Sequence, residues 1–460
     1  MVPQSRLAAS PLDRFLRLFA DVRPGEGITA VLLALNIFLL LTAYYVLKPV
    51  REALILGQGS AELKSYMSAG MVVVLAVVVP LYGRLAARVT RRRLINVVTA
   101  IFAVCLVVFY ALVQLDVQIG MVYFIWIGVF NMMIVAQFWG FANDLYTKDE
   151  GERLFAIVGF GASLGAVLGA VVAGWLIAPI GLDQLLLVGA GLLVAQAALT
   201  NYVDTRESAR TGVQSPDSGS PSGEVEKEKK ASAGAFGMVF ATPYLLLLGL
   251  MLMCLNWVNT TGEYILGSVI EDVAREAVAA GTADGLTVEE YIGQFYSQFF
   301  SVVNVVGLLI QLFLVSRIIK YFGVRFGVMV LPCIAMGAYN VLAFFPVLAA
   351  VRWAKTAENA TDYSLNNTVR NMLFLPCTRE QKYGAKQAID SFFVRIGDVL
   401  SAALVFVGTT YFALGGSGFA VVNIVIVAGW LVLAFIIGRE YRQLTIDGVA
   451  PGPTLIGGAK

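Results

Sequence analysis

The residues ITAVLLALNIFLLLTAYYVL, numbers 28–47, form a continuous stretch without a charged side chain. About 20 apolar residues in a helix cross the roughly 30 Å hydrocarbon layer of a bilayer, because each residue adds about 1.5 Å. Of the 460 residues, 58% are hydrophobic and 14% are charged. Soluble domains average about 45–50% and about 25%. The stretch therefore predicts a first membrane span, and the composition predicts that many more follow.

Similar apolar stretches recur on both sides of a polar segment, residues 204–238. This segment contains SARTGVQSPDSGSPSGEVEKEKK, which is typical of a flexible cytoplasmic linker. The predicted spans are 28–47, 66–87, 94–115, 119–143, 154–178 and 182–203 before it, and 239–268, 291–318, 322–347, 350–376, 385–411 and 416–438 after it. We therefore predict an all-α integral membrane protein with twelve transmembrane helices in two six-helix bundles, residues 28–203 and 239–438.

The basic residues between the spans predict the orientation of the chain. They cluster between spans two and three and between spans eight and nine, whereas the turns after spans three, five and eleven carry none. By the positive-inside rule, both termini should be cytoplasmic. Residues 1–27 have no signal-peptide core or cleavage site, so we expect a cytoplasmic leader. Residues 439–460 should form a cytoplasmic tail.

Several classes of function lack their usual residues. The chain has no histidine, and its four cysteines are not spaced as CxxC, so we expect no metal site, no cofactor and no catalytic residue. A GxxxxGK[ST] phosphate loop is absent from the sequence. The net charge of +2, without a basic tract, argues against nucleic acid as a partner. A carrier of a small polar solute in the lipid bilayer is favoured over an enzyme.

Glycines in span five indicate close helix packing. Gly161, Gly165 and Gly169 are four residues apart in GFGASLGAVLGA. Small residues at this interval allow two helices to approach closely in a membrane, so we prefer packing to a phosphate-binding loop.

Charged residues within spans are the candidate site, since each costs about 2.5–3.5 kcal/mol at a helix centre unless it faces a cavity or a partner. In span one, Lys48, Arg51 and Glu52 share a helical face, and Pro49 predicts a kink or break nearby. They either face a cavity or cap the outer end of the span.

Span ten has the most polar run, VRWAKTAENATDYSLNNTVRN. Its polar side chains fall within an arc of about 120° and either line the transport path or form salt bridges between spans. These residues are Arg352, Lys355, Glu358, Asp362, Asn366 and Arg370.

Spans seven and eleven add further candidates. Glu263 lies near Asn256, Asn259 and Thr260, which either face the solute or bond to neighbouring helices. Span eleven carries Lys386, Asp390, Arg395 and Asp398, whose angles spread around the helix, so some of them must pair with neighbouring spans.

The two halves resemble each other. LYGRLAARVTRRRLI after span two corresponds to VSRIIKYFGVRFGV after span eight, and TKDEGERLFAI before span five corresponds to TREQKYGAKQAI before span eleven. Parallel repeats of this kind resemble the arrangement of major facilitator carriers. The basic loop from Gly83 to Arg93 is also similar to the loop-two signature of that superfamily, although it lacks the acidic residue.

Several segments resemble the ATP/ADP translocase family, the nucleotide exchangers of plastids and intracellular bacteria. YYVLKPVREALIL followed by SAELKS implies that Arg51 matches an important lysine of that family. FANDLYTKDEGERLFAIVGFGA places Glu150 on an important acid, and FLPCTREQKYGAKQAID matches at Lys386 and Asp390. IGDVLS puts Asp398 where the family has a lysine.

These observations favour an alternating-access transporter in a bacterial inner membrane that exchanges or imports nucleotides or a related anionic metabolite. The substrate-binding candidates are Lys48, Arg51, Lys355, Arg370, Lys386 and Arg395. The acids that would pair with them as gates are Glu150, Glu263, Glu358, Asp362, Asp390 and Asp398. Because acids nearly balance the cations, two alternatives stay open: a proton-coupled carrier of another solute, and a non-transporting sensor with a carrier fold. A regulatory domain beyond the tail of a longer natural protein is conceivable.

Overall fold

The computed structural model describes residues 10–17, 20–86, 88–211, 237–378 and 380–455, and these residues form helices and connections without a strand. The main helices are α1 (Pro11–Leu16), α2 (Gly27–Gly57), α3 (Ala61–Ala86), α4 (Arg91–Val113), α5 (Gly120–Leu145), α6 (Lys148–Ile180), α7 (Gln184–Thr211), α8 (Pro243–Ala279), α9 (Val288–Leu309), α10 (Ser316–Phe344), α11 (Leu348–Thr361), α12 (Asn367–Met372), α13 (Lys386–Ala388), α14 (Val394–Phe412) and α15 (Gly416–Asp447).

Short π-helical segments join some of these helices into longer spans. Ile310–Val315 connects α9 to α10, and Asp362–Asn366 connects α11 to α12. Gln381–Ala385 precedes α13, and Ile389–Phe393 connects α13 to α14. The polar tenth span is therefore α11 with α12, and the eleventh is α13 with α14.

Twelve spans are present in the described residues, and the all-helical prediction is confirmed. Ten stretches are long and apolar enough to cross a bilayer, with Val288–Phe344 counted as one of them. This stretch contains a break at Gly323, where φ is 75° and ψ is 174°. Glycine adopts a positive φ without strain, so it separates spans eight and nine. The remaining span, α11 with α12, is the tenth along the chain and lies outside the ten apolar stretches because it is polar.

Two predicted boundaries fall inside helices. α7 continues past residue 203 to Thr211, and α15 continues past residue 438 to Asp447. The polar end of α7 has a partner on α2, because the Thr29 hydroxyl donates to Glu207 Oε1 over 2.7 Å. Hydropathy detects the apolar part of a helix and misses such a polar extension. Residues 212–236 of the predicted linker lie outside the described residues.

The chain forms two compact units, each of which includes one segment from the other half of the sequence. Unit one consists of the described parts of Met1–Leu54, Val77–Pro221 and Glu289–Ser301. Unit two consists of those of Ile55–Ala76, Ser222–Val288 and Val302–Lys460. The connection between α2 and α3 belongs to unit two because it packs on α8. There a Cβ built on Gly267 would lie 3.4 Å from Leu56 Cδ2 and 3.5 Å from Ala61 Cβ.

The described part of the predicted leader folds against the start of α2. Asp13 is 2% exposed and accepts hydrogen bonds from the N–H groups of Ser10, Gly25 and Gly27 at 2.9, 3.2 and 3.1 Å. Burial raises the pKa of Asp13, but these hydrogen bonds to the ionised carboxylate outweigh it and hold the pKa below its usual value. Asp13 thus satisfies backbone donors that the first turn of α2 leaves unpaired.

The glycines of α6 lie directly against α2, as the sequence predicts. A Cβ on Gly161 would come within 2.4 Å of the main-chain oxygen of Ala34, and one on Gly165 within 2.4 Å of that of Phe38. A Cβ on Gly169 would lie 2.6 Å from the main-chain oxygen of Thr42. The neighbouring atoms are backbone, so the helices would have to separate to admit a side chain.

We predict that Gly165→Ala lowers the stability of the protein, whereas Gly159→Ala on the same helix does not. A Cβ on Gly159 meets nothing within 4 Å. Alanine is favoured over glycine in a helix by up to about 1 kcal/mol, while overpacking typically costs about 1–3 kcal/mol. Thermal unfolding of both variants in detergent provides the measurement. Equal melting temperatures for the two variants would contradict the close approach of α2 and α6.

Candidate functional site

Four charged side chains meet in the interior of unit two, and we call them the lysine–glutamate cluster: Lys64 on α3, Glu263 on α8, and Lys355 and Glu358 on α11. Lys355 Nζ lies 3.0 Å from Glu358 Oε2 and 3.8 Å from Glu263 Oε1. Lys64 Nζ lies 3.6 Å from Glu263 Oε2. Lys355 is 0% exposed and Lys64 is 6% exposed. Glu263 therefore bridges two buried lysines.

Helical spacing on α11 and α8 brings these groups together. Lys355 and Glu358 are three residues apart on α11, so they lie on the same face. On α8, Asn259 and Glu263 are four residues apart, and Asn259 Oδ1 accepts from Lys355 Nζ over 2.9 Å. Gly262 lies between them, where a Cβ would come within 3.1 Å of Lys355 Nζ. The glycine leaves room for the buried lysine.

Neutral polar groups complete the surroundings of the two glutamates. The Tyr339 hydroxyl donates to Glu358 Oε2 over 3.1 Å. The Asn359 amide donates to Glu263 Oε1, also over 3.1 Å. A buried charge is tolerated when its remaining lone pairs are hydrogen-bonded. Each glutamate of the cluster accepts at least one hydrogen bond, and the two positive and two negative groups balance.

Lys64 was missed by the sequence analysis, although it lies in the quoted segment SAELKS. The second span was predicted to begin at residue 66, which placed Lys64 in a loop, whereas α3 begins at Ala61. Contacts with α8 hold this end of α3. The Ala61 N–H donates to Glu271 Oε2 over 3.0 Å, and the Tyr264 hydroxyl donates to Glu62 Oε1 over 3.2 Å. Only the pairing of α3 with α8 makes Lys64 a candidate.

Asp398 forms a second polar group in unit two, between α8 and α14. Asp398 Oδ1 accepts from the Asn256 amide at 2.7 Å and from the Thr260 hydroxyl at 2.8 Å. Asp398 Oδ2 lies 3.1 Å from the Arg395 guanidinium. Gly397 allows the close approach, since a Cβ there would lie 2.7 Å from the main-chain oxygen of Met253. Asn256 and Thr260 thus bond to a neighbouring helix.

The other candidates of spans ten and eleven have separate contacts. Asp362 Oδ1 accepts from the Asn366 amide over 2.7 Å within the π-helical segment. Lys386 Nζ donates to Asn371 Oδ1 over 2.7 Å. Arg370 Nε and Asp390 Oδ1 are buried and have no hydrogen-bond partner among the described residues. The predicted stripe of span ten therefore contributes Lys355 and Glu358 to the cluster, while Asp362 is bonded elsewhere.

In unit one, the charged residues of α2 lie among aromatic rings. Lys48 is 7% exposed, and its Nζ lies 3.9 Å from the centroid of the Phe300 ring and 5.2 Å from that of Tyr45. The Arg51 guanidinium pairs with Glu52 and lies 5.1 Å from the centroid of Phe124. Lys48 is buried, which favours an interior position over an outer cap.

Pro49 and Glu150 both belong to helices. α2 continues through Pro49 to Gly57, so of the predicted kink or break, a break at the proline is excluded. Glu150 caps α6: its Oε2 accepts from the Thr147 N–H at 2.8 Å and from the Thr147 hydroxyl at 2.9 Å. The signal for this capping box is a threonine followed three residues later by a glutamate. The contacts of Glu150 are therefore those of a helix cap.

The two lysines of the cluster give unit two groups that can hydrogen-bond to an anion. Primary ammonium groups donate strong hydrogen bonds to phosphate or carboxylate oxygens. The side chain of Glu263 is 21% exposed, compared with 4% for Glu358. An incoming anion that displaces Glu263 would meet both Lys64 and Lys355. Among the described residues, no group of three Cys, Asp or Glu side chains is arranged to hold a metal ion.

Comparison with known proteins identifies related sequences and folds. A family model described as Major Facilitator Superfamily matches residues 30–267. The ADP,ATP carrier protein 1 of Chlamydia pneumoniae is 24% identical over 345 residues, which cover 66% of this chain and 64% of that protein. The chain thus spans less than two thirds of the length of this relative.

Solved transporter structures share the fold. The nucleoside transporter NupG has a TM-score of 0.65 at 13% identity, covering 90% of this chain and 99% of that chain. A bacterial homologue of the human lysosomal transporter Spinster, inward-facing and unoccupied, has a TM-score of 0.58 at 14% identity, covering 92% of this chain and 98% of that chain. At these identities the likeness concerns the fold.

We predict that Lys355→Met destabilises the protein by about 3–5 kcal/mol, because it leaves buried carboxylates without their cation. The double variant Lys355→Met/Glu358→Gln should lose less stability than Lys355→Met, since it also removes one of the carboxylates that the lysine compensated. Lys320→Met, at an exposed lysine of α10, serves as the control. Denaturation monitored by tryptophan fluorescence gives the comparison. A single variant as stable as the control would show that the cluster does not hold unit two together.

Proposed function

Because the chain belongs to the Major Facilitator Superfamily, we propose that it is an alternating-access carrier of anionic metabolites, with nucleotides such as ATP and ADP as its substrates. The chain is a multi-pass membrane transporter and not an enzyme, as its sequence predicts. The proposal includes a bacterial inner membrane with both termini in the cytoplasm, in agreement with the basic loops between its spans.

The observation that carries the substrate class is the pair of buried lysines around Glu263. Lys64 and Lys355 approach different oxygens of this carboxylate, at 3.6 and 3.8 Å. A carboxylate held by two ammonium groups occupies the position that a phosphate oxygen of a substrate would take. Similarity to an ADP,ATP carrier supports a nucleotide as the source of that phosphate.

Binding in this proposal is an exchange of anions. The lysines are neutralised by protein carboxylates before the substrate arrives, so they do not remain buried without a partner. A phosphate group then replaces the Glu263 carboxylate beside the lysines, and this carboxylate moves toward solvent. The free energy of binding is the difference between two ion-paired states, which suits a carrier that must also release its substrate.

Arg51 in unit one is the second candidate for phosphate recognition. Its guanidinium lies against Phe124 and pairs with Glu52. A planar guanidinium can donate two parallel hydrogen bonds to a phosphate. The resemblance to nucleotide exchangers places this residue on one of their important lysines. We include Arg51 and Lys48 with the substrate-binding residues of the proposal, together with Lys64, Lys355, Arg370, Lys386 and Arg395.

The transport assay uses the full chain in proteoliposomes loaded with unlabelled ADP. We expect saturable uptake of radiolabelled ATP that depends on the internal nucleotide. Lys355→Gln should lower the rate at least about tenfold, since a charge-assisted hydrogen bond contributes about 1.5–3 kcal/mol and each 1.4 kcal/mol is a factor of ten. Lys320→Gln should transport normally. No saturable uptake of any nucleotide, with another solute moving, refutes the substrate class.

A proton-coupled carrier is the second candidate, because Glu263 is the more exposed of the two glutamates in the cluster. Protonation of Glu263 would remove the negative charge that it places beside both lysines, without a substrate. Exchange of one nucleotide for another requires no proton, so we expect an imposed pH gradient to leave the uptake rate unchanged. A gradient that multiplies the rate in the unsubstituted protein, together with loss of this response in Glu263→Gln, would favour the proton-coupled candidate.

A further inference from the structure

Unit one contains a small cavity, lined in part by polar side chains, that involves none of the charged residues of the candidate site. Its volume is about 10 Å³, and it lies where α2, α4, α5 and α7 meet. The polar side chains that line it are Asn36, Thr99, Gln137, Gln196 and Thr200, each at most 8% exposed. Asn36 is nine residues beyond the first residue of α2, about 14 Å along the helix axis. The cavity is therefore inside the span and away from its ends.

Part of this polar group is already hydrogen-bonded. The Asn36 amide donates to Thr200 Oγ1 over 2.7 Å, and the Gln196 amide donates to Asn36 Oδ1 over 2.8 Å. Thr200 in turn donates to the main-chain oxygen of Gln196 over 2.9 Å. These contacts connect α2 with α7 and leave the side chains on α4 and α5 outside the network.

The remaining polar atoms lack a hydrogen-bond partner within the described residues. They are Thr99 Oγ1, Gln137 Oε1, Gln137 Nε2 and Gln196 Oε1. The Tyr82 hydroxyl of α3 lies near the Gln137 side chain. A buried polar group without a partner is strongly unfavourable, more so where lipid surrounds the protein. Four such atoms around one cavity indicate a shared ligand.

We propose that the cavity binds one water molecule that joins α4 and α5 to the network of α2 and α7. A site for one water needs roughly 10–15 Å³ and two to four polar partners. The water can accept from Gln137 Nε2 and the Thr99 hydroxyl, and it can donate to Gln196 Oε1 and Gln137 Oε1. Donors and acceptors are then matched. Turning the Gln137 amide over does not alter this, because the side chain still presents one donor and one acceptor.

The same groups do not suit a metal cation. A bound sodium or calcium ion takes several oxygen ligands, about six or more for calcium, and a buried ion needs a compensating negative charge. The unpartnered oxygens of the cavity belong to Thr99, Gln137 and Gln196, all of them neutral. The Gln137 amide also brings a positively polarised N–H group into the space. A neutral ligand with both donors and acceptors fits, and water is the smallest one.

The bound water has a structural consequence for unit one. Thr99 on α4 and Gln137 on α5 have no direct hydrogen bond to α2 or α7 in this cavity. Through the water, four spans share one network, which favours their movement as one body. This inference does not depend on which solute the protein carries.

Thermal unfolding of Thr99→Val and Gln137→Met in detergent tests the proposal through the sign of the shift. If water occupies the site, each substitution removes a partner of the water, and the melting temperature falls by about 2–6 °C. If the cavity is dry, each substitution removes unpartnered polar atoms, and the melting temperature rises. Thr409→Val is the matched control, because the Thr409 hydroxyl bonds to the main-chain oxygen of Val405 on its own helix.

Two further measurements complete the test. The melting temperature of the double variant Thr99→Val/Gln137→Met should fall by less than the sum of the two single decreases, because both substitutions remove partners of the same water. An experimental density map at about 2.5 Å or better should show a spherical feature 2.7–3.2 Å from Gln137 and Gln196. A raised melting temperature in either single variant, or a clear map without such density, overturns the proposal. Stabilisation by sodium but not by choline would assign the cavity to a cation and overturn it as well.

Discussion

The absence of water from the hydrocarbon core is the constraint on which this structure depends, because each polar group placed there needs a partner within the protein. The helices supply the partners of the backbone. Side chains must find theirs on neighbouring spans, as Lys355 does with Asn259 and Glu263 on α8 of unit two. Asn36 does the same with Thr200 in unit one. The choice of helix neighbours is therefore tied to the pairing of buried polar groups.

Helix α8 shows how one span can serve several such pairings. Asn256 and Thr260 bond to Asp398 on α14, and Glu263 is paired with Lys355 on α11. The next turns bond to α3, where Glu271 accepts from the Ala61 N–H. Polar residues along α8 thus connect it to three other helices of unit two. A ligand that changes the pairing of Glu263 acts on a helix that also holds α3 and α14.

Charge balance relates this architecture to transport. An excess of buried cations would bind a phosphate tightly and release it slowly. It would also destabilise the empty protein, because the cations would be buried without counter-charges. In the lysine–glutamate cluster, two carboxylates compensate the two ammonium groups, at distances of 3.0 to 3.8 Å. In the proposed mechanism the cluster is neutral without a substrate, and an anion exchanges for one of its carboxylates. A family of carriers that alternate between loaded and empty states needs both properties.

The sequence by itself determined the number of spans, because the length of an apolar stretch is a local property of the chain. It also identified the glycines of α6, whose spacing of four marks one helical face, and Lys355, Glu358 and Glu263 as buried charges that require partners. Only the tertiary structure decided which partners they have. Lys64 becomes part of the cluster because the start of α3 packs on α8, and Glu150 caps its own helix. Gln137 becomes a candidate water ligand only when α5 is placed beside α4 and α7. Hydropathy and spacing describe one helix at a time, whereas a pairing depends on which helices are neighbours.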